Sequence, residues 1–399
     1  MSVIDHEFRP QLDITRPELA RPDLARTGPR TAMGAFMRRF WIPVHRGEDL
    51  PAGQAKPIRI MNEDFALYRG RSGTAQTIAY RCPHRGAQMH LGWVEDDDIR
   101  CVYHGWKFDC AGQCLEQPAE EPGFARKVRI RTYPTREYLG LIYAYFGEGA
   151  PPPFPPYPAP LGEGLIENAA PPLVPCNYLQ CFENSMDEVH VAFVHRIGGS
   201  HSGIYDLPEI GAEETRWGML RTGTRSSKTG GNEVRISLHY MPNCTRVIVP
   251  PMAGLDGAGG WRELYLAFTP VDDETNLWFI TNLVGVTGRE ADIYREKRAQ
   301  YRRHQAEAGP AAELARAVMG GQVRFADIDH PDRVRVQDIA VQAGQGPIAD
   351  RTNERLGRSD AAIILWRRIL ERELRAMEQG GPVKQWVPAP AEVVPTLGF

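Results

Sequence analysis

Short apolar runs broken by turn residues fill the first third of the chain. Phe40-Trp41-Ile42-Pro43-Val44 and the runs at 57–60, 65–68 and 77–80 are too short for helices. Pro51-Ala52-Gly53 and Gly70-Arg71-Ser72-Gly73 separate them. The pattern predicts a small antiparallel β-domain, closed by the strand-like stretch 133–146. A second group of runs, at 217–221, 234–240, 245–249, 262–268 and 277–284, alternates apolar with polar residues. It predicts the antiparallel sheet of an α+β domain, with 173–180 as a further strand leading into it. Helical periodicity is confined to the later chain. Residues 289–307 form a polar helix expected to lie exposed. Asp360 is placed to cap a helix through Leu374, whose buried stripe is Ile363, Ile364, Ile369, Leu370 and Leu374.

Between the two patterns stands Pro151-Pro152-Pro153-Phe154-Pro155-Pro156-Tyr157-Pro158, a stiff polyproline spacer. The expected organisation is an N-terminal arm at 1–35, the β-domain at 36–150, a linker at 151–160 and the α+β domain at 161–399. With 399 residues, two or three domains are within reach. A formal charge of −3 and 24% charged residues exclude a polybasic nucleic-acid surface. No run is long enough to span a bilayer, and the first thirty residues lack the apolar core of a secretion signal. A cytoplasmic protein without membrane or nucleic-acid partners is expected. Seven cysteines, an odd number, argue against a disulfide framework. Cys110 and Cys114 read as buried small hydrophobes.

Two constellations carry chemistry. The first is Cys82-Pro83-His84-Arg85-Gly86 followed, after Asp96-Asp97-Asp98, by Cys101-Val102-Tyr103-His104-Gly105-Trp106. Zinc is one reading of two thiols and two imidazoles, although zinc fingers group Cys with Cys and His with His. Here each half offers one of each, which suits a cluster with two Cys on one iron and two His on the other. Gly86 and Gly105 would let the backbone approach such a cluster.

The second runs from Asn184 to His195, with Asp187 and His190 between them. Two imidazoles and a carboxylate form the facial triad of non-haem Fe(II) sites. Asp187 and His190 share a helix face. His190 and His195 lie five positions apart, about 140° round a helix of about 3.6 residues per turn. Their convergence requires an interruption, most simply a π-bulge. An ordinary buried helix with hydrogen-bonded histidines is the alternative.

Taken together, Cys82-x-His84 with Cys101-x-x-His104, and Asn184-x-x-Asp187-x-x-His190-x₄-His195, resemble the paired signatures of the Rieske non-haem iron oxygenases. They stand in that family's order, and the resemblance covers nearly the whole chain. It implies an all-β Rieske domain followed by an α+β catalytic domain whose large antiparallel sheet is covered by helices in a helix-grip-like arrangement. It implies that Cys82, His84, Cys101 and His104 hold a [2Fe–2S] cluster. His190 and His195 would bind a mononuclear Fe(II) with Asp338, whose acid-x-x-x-Gln context precedes a Gly-Pro-Ile loop. Asp327, Asp329, Asp332 and Asp350 are rivals for that third ligand.

In related oxygenases the α-subunits form a head-to-tail trimer. Asp187 matches the acid that joins His104 of one subunit to His190 of the next. Asn184 is either near the iron or a helix cap. Length and the Pro-rich joint look most like the phthalate-dioxygenase-like group, which implies O₂ as cosubstrate and a substituted aromatic acid or aryl ether as substrate. Arg221, Arg225, Arg235 and Arg246 are candidates for holding an anion. Gly257-Ala258-Gly259-Gly260 lacks the dinucleotide-binding spacing, so electrons from NAD(P)H would arrive through a separate reductase, with or without a ferredoxin. The competing readings are a Rieske electron carrier without oxygenase activity and a zinc-stabilised binding module.

Overall fold

The structure, a computed structural model, describes residues 22–121, 123–159, 162–196, 207–226, 231–252, 254–390 and 393–397. Most of the N-terminal arm and residues 197–206, a Gly- and Ser-rich stretch read from the sequence as a loop, lie outside the described residues. Thr31 accepts a hydrogen bond from the Gly34 amide and so starts α1 (Ala32–Met37).

The N-terminal domain consists of β1 (Trp41–Arg46), β2 (Ala55–Ile60), β3 (Glu63–Arg69), β4 (Ala75–Ala79), β5 (Trp93–Glu95), β6 (Asp98–Arg100), β7 (Lys107–Phe108), β8 (Cys114–Glu116), β9 (Thr132–Tyr133), β10 (Thr135–Tyr138) and β11 (Leu141–Tyr145). They pair antiparallel in the orders β2-β3-β4-β9, β5-β6-β7-β8 and β1-β11-β10. Tyr68, Ile78, Ile99 and Phe108 form the core beneath Cys82 and Cys101. Cys114 joins that core, whereas Cys110 is exposed, against expectation, in the turn before it.

The C-terminal domain is built on β12 (Leu165–Asn168), β13 (Leu173–Val174), β14 (Glu209–Glu214), β15 (Gly218–Ser226), β16 (Asn232–Tyr240), β17 (Cys244–Val249), β18 (Arg262–Pro270), β19 (Asn276–Val284) and β20 (Thr396–Leu397). The order is β12-β19-β18-β17-β16-β15-β14, with β13 on β19 and β20 on β16. Period-two alternation gives the sheet two faces. Tyr240, Tyr265 and Phe279 turn toward the N-terminal domain, where Trp41, Tyr143 and Tyr157 meet them. The polyproline stretch is therefore no free spacer. Its aromatic residues are drawn into this interface, and Pro152 accepts a bond from the Trp41 indole at 2.9 Å.

The opposite face is covered by α2 (Tyr178–Met186), α3 (Val189–Val194), α4 (Gly288–Ala308), α5 (Ala311–Met319), α6 (Arg333–Ala343) and α7 (Ala361–Glu378). Four expectations fail here. Residues 173–180 are extended only to Val174, because the Asn177 side chain accepts from the Leu179 amide and opens a helix. The polar helix α4 is not simply exposed; Ala291, Tyr294, Arg298 and Tyr301 form a buried stripe. The stripe escaped notice because one of its members is an arginine, matched to Glu167 on β12. In α7 Ile363, Ile369, Leu370 and Leu374 are buried as expected and Trp366 joins them, but Ile364 is only half-buried. The Asp360 carboxylate bonds the Gly357 amide at 2.7 Å and closes the preceding turn instead of capping α7.

Candidate active site

The 184–195 segment is two short helices meeting at a break, not one helix with a π-bulge. Helix α2 stops at Met186, Asp187 is extended (φ −81°, ψ 112°), and α3 begins at Val189. One Asp187 carboxylate oxygen accepts from the amides of Val189 (2.8 Å) and His190 (3.2 Å), which secures the start of α3. The redirection brings His190 and His195 within 5.4 Å, ring centre to ring centre, at 77°.

Helix α6 supplies the third group. Asp338 Oδ1 stands 3.3 Å from His195 Nε2 and 3.7 Å from His190 Nε2. One donor atom from each of the three residues lies within 4.8 Å of the others. The distal ring nitrogens have partners of their own. His190 Nδ1 is 2.5 Å from the Asp187 carbonyl, and His195 Nδ1 is 3.0 Å from Gln337 Oε1. Both acceptors favour a proton on Nδ1, leaving the Nε2 lone pairs aimed inward. Asn184 Nδ2 lies 3.4 Å from Asp338 and 3.5 Å from His190 Nε2. Burial disfavours charge on His195 and on Asp338, yet their mutual attraction outweighs it. The imidazole is raised above its ordinary value and the carboxyl held below its own.

The loop after α6 is pinned to α2, which sets the register between the two helices. Gln180 donates to the carbonyls of Gln342 and Gly346, both at 2.9 Å, and accepts from the Ala349 amide at 2.9 Å. Glu183 draws in Arg351 (2.9 Å) and Arg367 (2.5 Å) behind it. The rival acids are engaged elsewhere. Asp327 pairs with Arg324, Asp332 with Arg335, Asp350 with Thr352, and Asp329 is exposed.

A cavity of about 280 Å³ opens against these groups. Val247, Val249, Leu264, Leu266, Phe268 and Ile280 of the sheet give it an apolar floor. Its polar end was only partly foreseen. Glu188, buried beside Asp187, takes Arg221, Arg225 (2.5 Å) and more distantly Arg235 (3.7 Å). Burial, with the neighbouring guanidinium charges adding to it, lowers Arg221 to about 9 and Arg235 to about 10, so both stay cationic at neutral pH. Arg262, not anticipated, also lines the cavity. Its bonds run to neutral acceptors, Asn282 Oδ1 at 2.8 Å and the Pro250 carbonyl at 2.7 Å. Arg246 falls on the other face of the sheet, paired with Glu263 and stacked over Tyr265, and takes no part in the cavity. Strand parity was the signal for all four: 221, 235 and 262 share a face with Leu264 and Leu266, whereas 246 does not.

In the N-terminal domain two equivalent loops face one another. In each, the first residue's amide bonds the carbonyl five positions on, Cys82 to Ala87 (2.8 Å) and Cys101 to Trp106 (2.9 Å). In each, the glycine four positions on returns a bond to the cysteine carbonyl and sits at positive φ, 76° at Gly86 and 72° at Gly105. Cys82 and Cys101 are buried, and desolvation pushes the Cys82 thiol up to about 12. The rings of His84 and His104 are 4.5 Å apart, and His84 stacks on Trp106 at 4.3 Å. His84 Nδ1 is buried without a hydrogen-bond partner among the described residues. Asp187 bonds within its own segment, and His104 lies in the other domain against His84 and Tyr103.

Residues 40–134 match the family described as the Rieske [2Fe–2S] domain, and residues 316–391 match one described as LigXa C-terminal domain like. The first match defines the N-terminal domain as a Rieske iron–sulfur domain. The 5,5'-dehydrodivanillate O-demethylase oxygenase subunit of a Sphingobium strain is 32% identical, over 92% of this chain and 82% of that protein. The phthalate 4,5-dioxygenase oxygenase subunit of Pseudomonas putida is 30% identical, over 87% and 84%. Among solved structures, Pseudomonas putida NdmA carrying the QL mutation, with caffeine, superposes with a TM-score of 0.64 over 91% of this chain and 97% of that one, at 17% identity. The chain therefore belongs to the Rieske non-haem iron oxygenases, as the oxygenase subunit of a multicomponent system. It is an oxygen-incorporating oxidoreductase, and the carrier-only reading falls with the match across both domains. No helix among the described residues is long and apolar enough to cross a membrane.

Proposed function

We propose that His190, His195 and Asp338 hold a mononuclear Fe(II), that Cys82, His84, Cys101 and His104 hold the Rieske cluster, and that the cavity presents a carboxylated aromatic compound to the iron. The observation that carries the reading is the meeting of three inward-facing donor atoms on the wall of an apolar cavity with a cationic end. Two imidazole nitrogens and one carboxylate oxygen are the donor set that such iron takes. At the cluster, the fit rests on two buried thiols and on an imidazole nitrogen that is buried and unpartnered. When bound, the two centres supply dioxygen activation and one-electron delivery.

The protein's own residues do the remaining work. The Asp187 carbonyl and Gln337 hold the two imidazoles in the tautomer that ligates. Asn184 offers an amide N–H at the edge of the iron site. The aliphatic floor keeps water from the ring of the substrate. Arg262 and Arg235, with the Glu188-bound Arg221 behind them, anchor the carboxylate and set which ring position faces the iron.

We further propose a head-to-tail homotrimer in which Asp187 joins His104 of the neighbouring subunit to His190, and a separate reductase, with or without a ferredoxin, that passes on NAD(P)H electrons. In support, Leu91, Trp93, Val102 and Tyr103 stand exposed around the His104 loop, an apolar collar suited to a protein partner. The domain division is 36–150, 151–160 and 161–399.

The test is iron content with a substrate panel. Three irons per chain, a rhombic histidine-ligated cluster signal, and oxygen uptake matched to product from benzoates or methoxybenzoates are expected. Two irons per chain would sink the oxygenase centre, and turnover restricted to uncharged aromatics would sink the carboxylate.

A further inference from the structure

Strand β16 turns its polar side to the cavity and its apolar side to the N-terminal domain. Arg235, Ser237 and His239 alternate with Ile236, Leu238 and Tyr240. Ser237, His239 and the facing Thr245 are at most 1% exposed. Polar groups buried this deeply are costly unless each finds a partner. Here register supplies the partners: Arg221 lies directly across from Ser237, and His239 directly across from Thr245.

The result is one continuous hydrogen-bonded chain. Arg221 Nε lies 2.8 Å from Ser237 Oγ, and Ser237 Oγ lies 3.2 Å from His239 Nε2. His239 Nδ1 is 3.0 Å from Thr245 Oγ1, which is 2.7 Å from Ser185 Oγ. Ser185 ends the chain on the Phe182 carbonyl at 2.6 Å.

The two ends dictate its direction. A guanidinium only donates and a carbonyl only accepts. Ser237 therefore accepts from Arg221 and gives its own proton to His239 Nε2. The ring must carry its proton on Nδ1 and donate to Thr245, which donates to Ser185, which donates to Phe182. Every link is used once. A doubly protonated ring would set a second N–H against the Ser237 hydroxyl, and burial with the Arg221 charge opposes it as well.

We propose that His239 is a positioning residue, fixed as the neutral Nδ1–H tautomer, that locks Arg221 to the last turn of α2. Ser185 lies in that turn, between Asn184 and Asp187, so the chain joins the cationic end of the cavity to the edge of the iron site. The proposal deepens the reading above, since it takes Arg221 to belong to the carboxylate-binding end.

Two measurements on the holoenzyme test it. Neutron diffraction after deuterium exchange should find a deuteron on His239 Nδ1 and none on Nε2; a deuteron on Nε2 overturns the proposal. The second compares His239→Asn, whose amide nitrogen can replace Nδ1 as donor to Thr245, with His239→Leu, which has no donor. Benzoate affinity is read from the electron paramagnetic resonance signal of the nitric oxide adduct of the ferrous site, with melting temperature recorded in parallel. His239→Leu should weaken benzoate by about tenfold and His239→Asn should restore most of that, the size expected for losing alignment of one charge-assisted contact. Equal melting temperatures with equal benzoate affinities in the two variants and the wild type overturn the positioning role. If benzoate leaves the wild-type signal unmoved, the carboxylate reading fails instead, and the deuteron position alone decides the state of His239.

Discussion

His195 Nε2 and Asp338 Oδ1 stand 3.3 Å apart, although six strands and two α-helices separate them in the chain. The pair closes the proposed iron site, because His190 and His195 both come from a single segment and need an acid brought from elsewhere. Gln180 and Glu183 on α2 make that meeting reproducible by tying down the chain that follows α6.

Replacing Asp338 with Ala should remove the mononuclear iron and spare the cluster. Iron analysis is expected to fall by the one atom that the triad holds, with the visible spectrum of the cluster unchanged. Loss of cluster absorbance in step with the iron would point to a global folding role for Asp338.

Asp187→Asn keeps a side-chain oxygen for the amides of Val189 and His190, so the break between α2 and α3 should survive. Both metal centres should remain, while transfer from reduced cluster to iron slows by about 10- to 100-fold, as expected when a carboxylate partner of a ligating imidazole is lost. Single-turnover kinetics on fully reduced protein measure this. An unchanged rate at normal iron content would reject the link between subunits.

Arg262 makes no direct ion pair among the described residues, Glu167 acting on it only from a distance, so Arg262→Met removes a charge available to a ligand. The KM for carboxylated aromatics should rise by about 10- to 100-fold, the range for a lost charged hydrogen bond, with neutral analogues little affected. A parallel rise for neutral analogues would assign Arg262 to packing.

Glu214 on β14 receives Arg372 through two bonds (2.8 and 2.9 Å) and Lys384 at 2.6 Å, which clips α7 and the C-terminal segment to the sheet edge. Hydrogen bonds from Arg372, and then Lys384, hold its carboxyl down at about 2. A depressed carboxyl stabilises the fold above its ordinary value, and the stabilisation is lost as pH falls toward the depressed one. Glu214→Gln should therefore cost roughly 1 kcal/mol near neutral pH, given how much solvent reaches the cluster. In thermal melts the gap from wild type should narrow as pH drops below about 4.5, the ordinary carboxyl value. A constant gap across that range would exclude the ion pairs as its cause.

The longer strands of both domains were legible because period-two alternation is local, and predicted and observed bounds mostly differ by a few residues, whereas the short strands β5 to β8 and the edge strands β12 and β14 left no such signal. The 173–180 segment misled because capping by Asn177 outweighs the β-tendency of its neighbours. Motif spacing marked out Cys82, His84, Cys101, His104, His190 and His195 as candidate ligands, since groups on one loop or helix have their geometry set by adjacent backbone. What only tertiary structure decided was which distant groups face one another. Gln337 beneath His195, Arg262 at the cavity, the exclusion of Arg246 and the partnership of His239 with Thr245 depend on strand register and helix packing. Those are set by burial of apolar faces summed over the whole sheet, and no short window of sequence contains that sum.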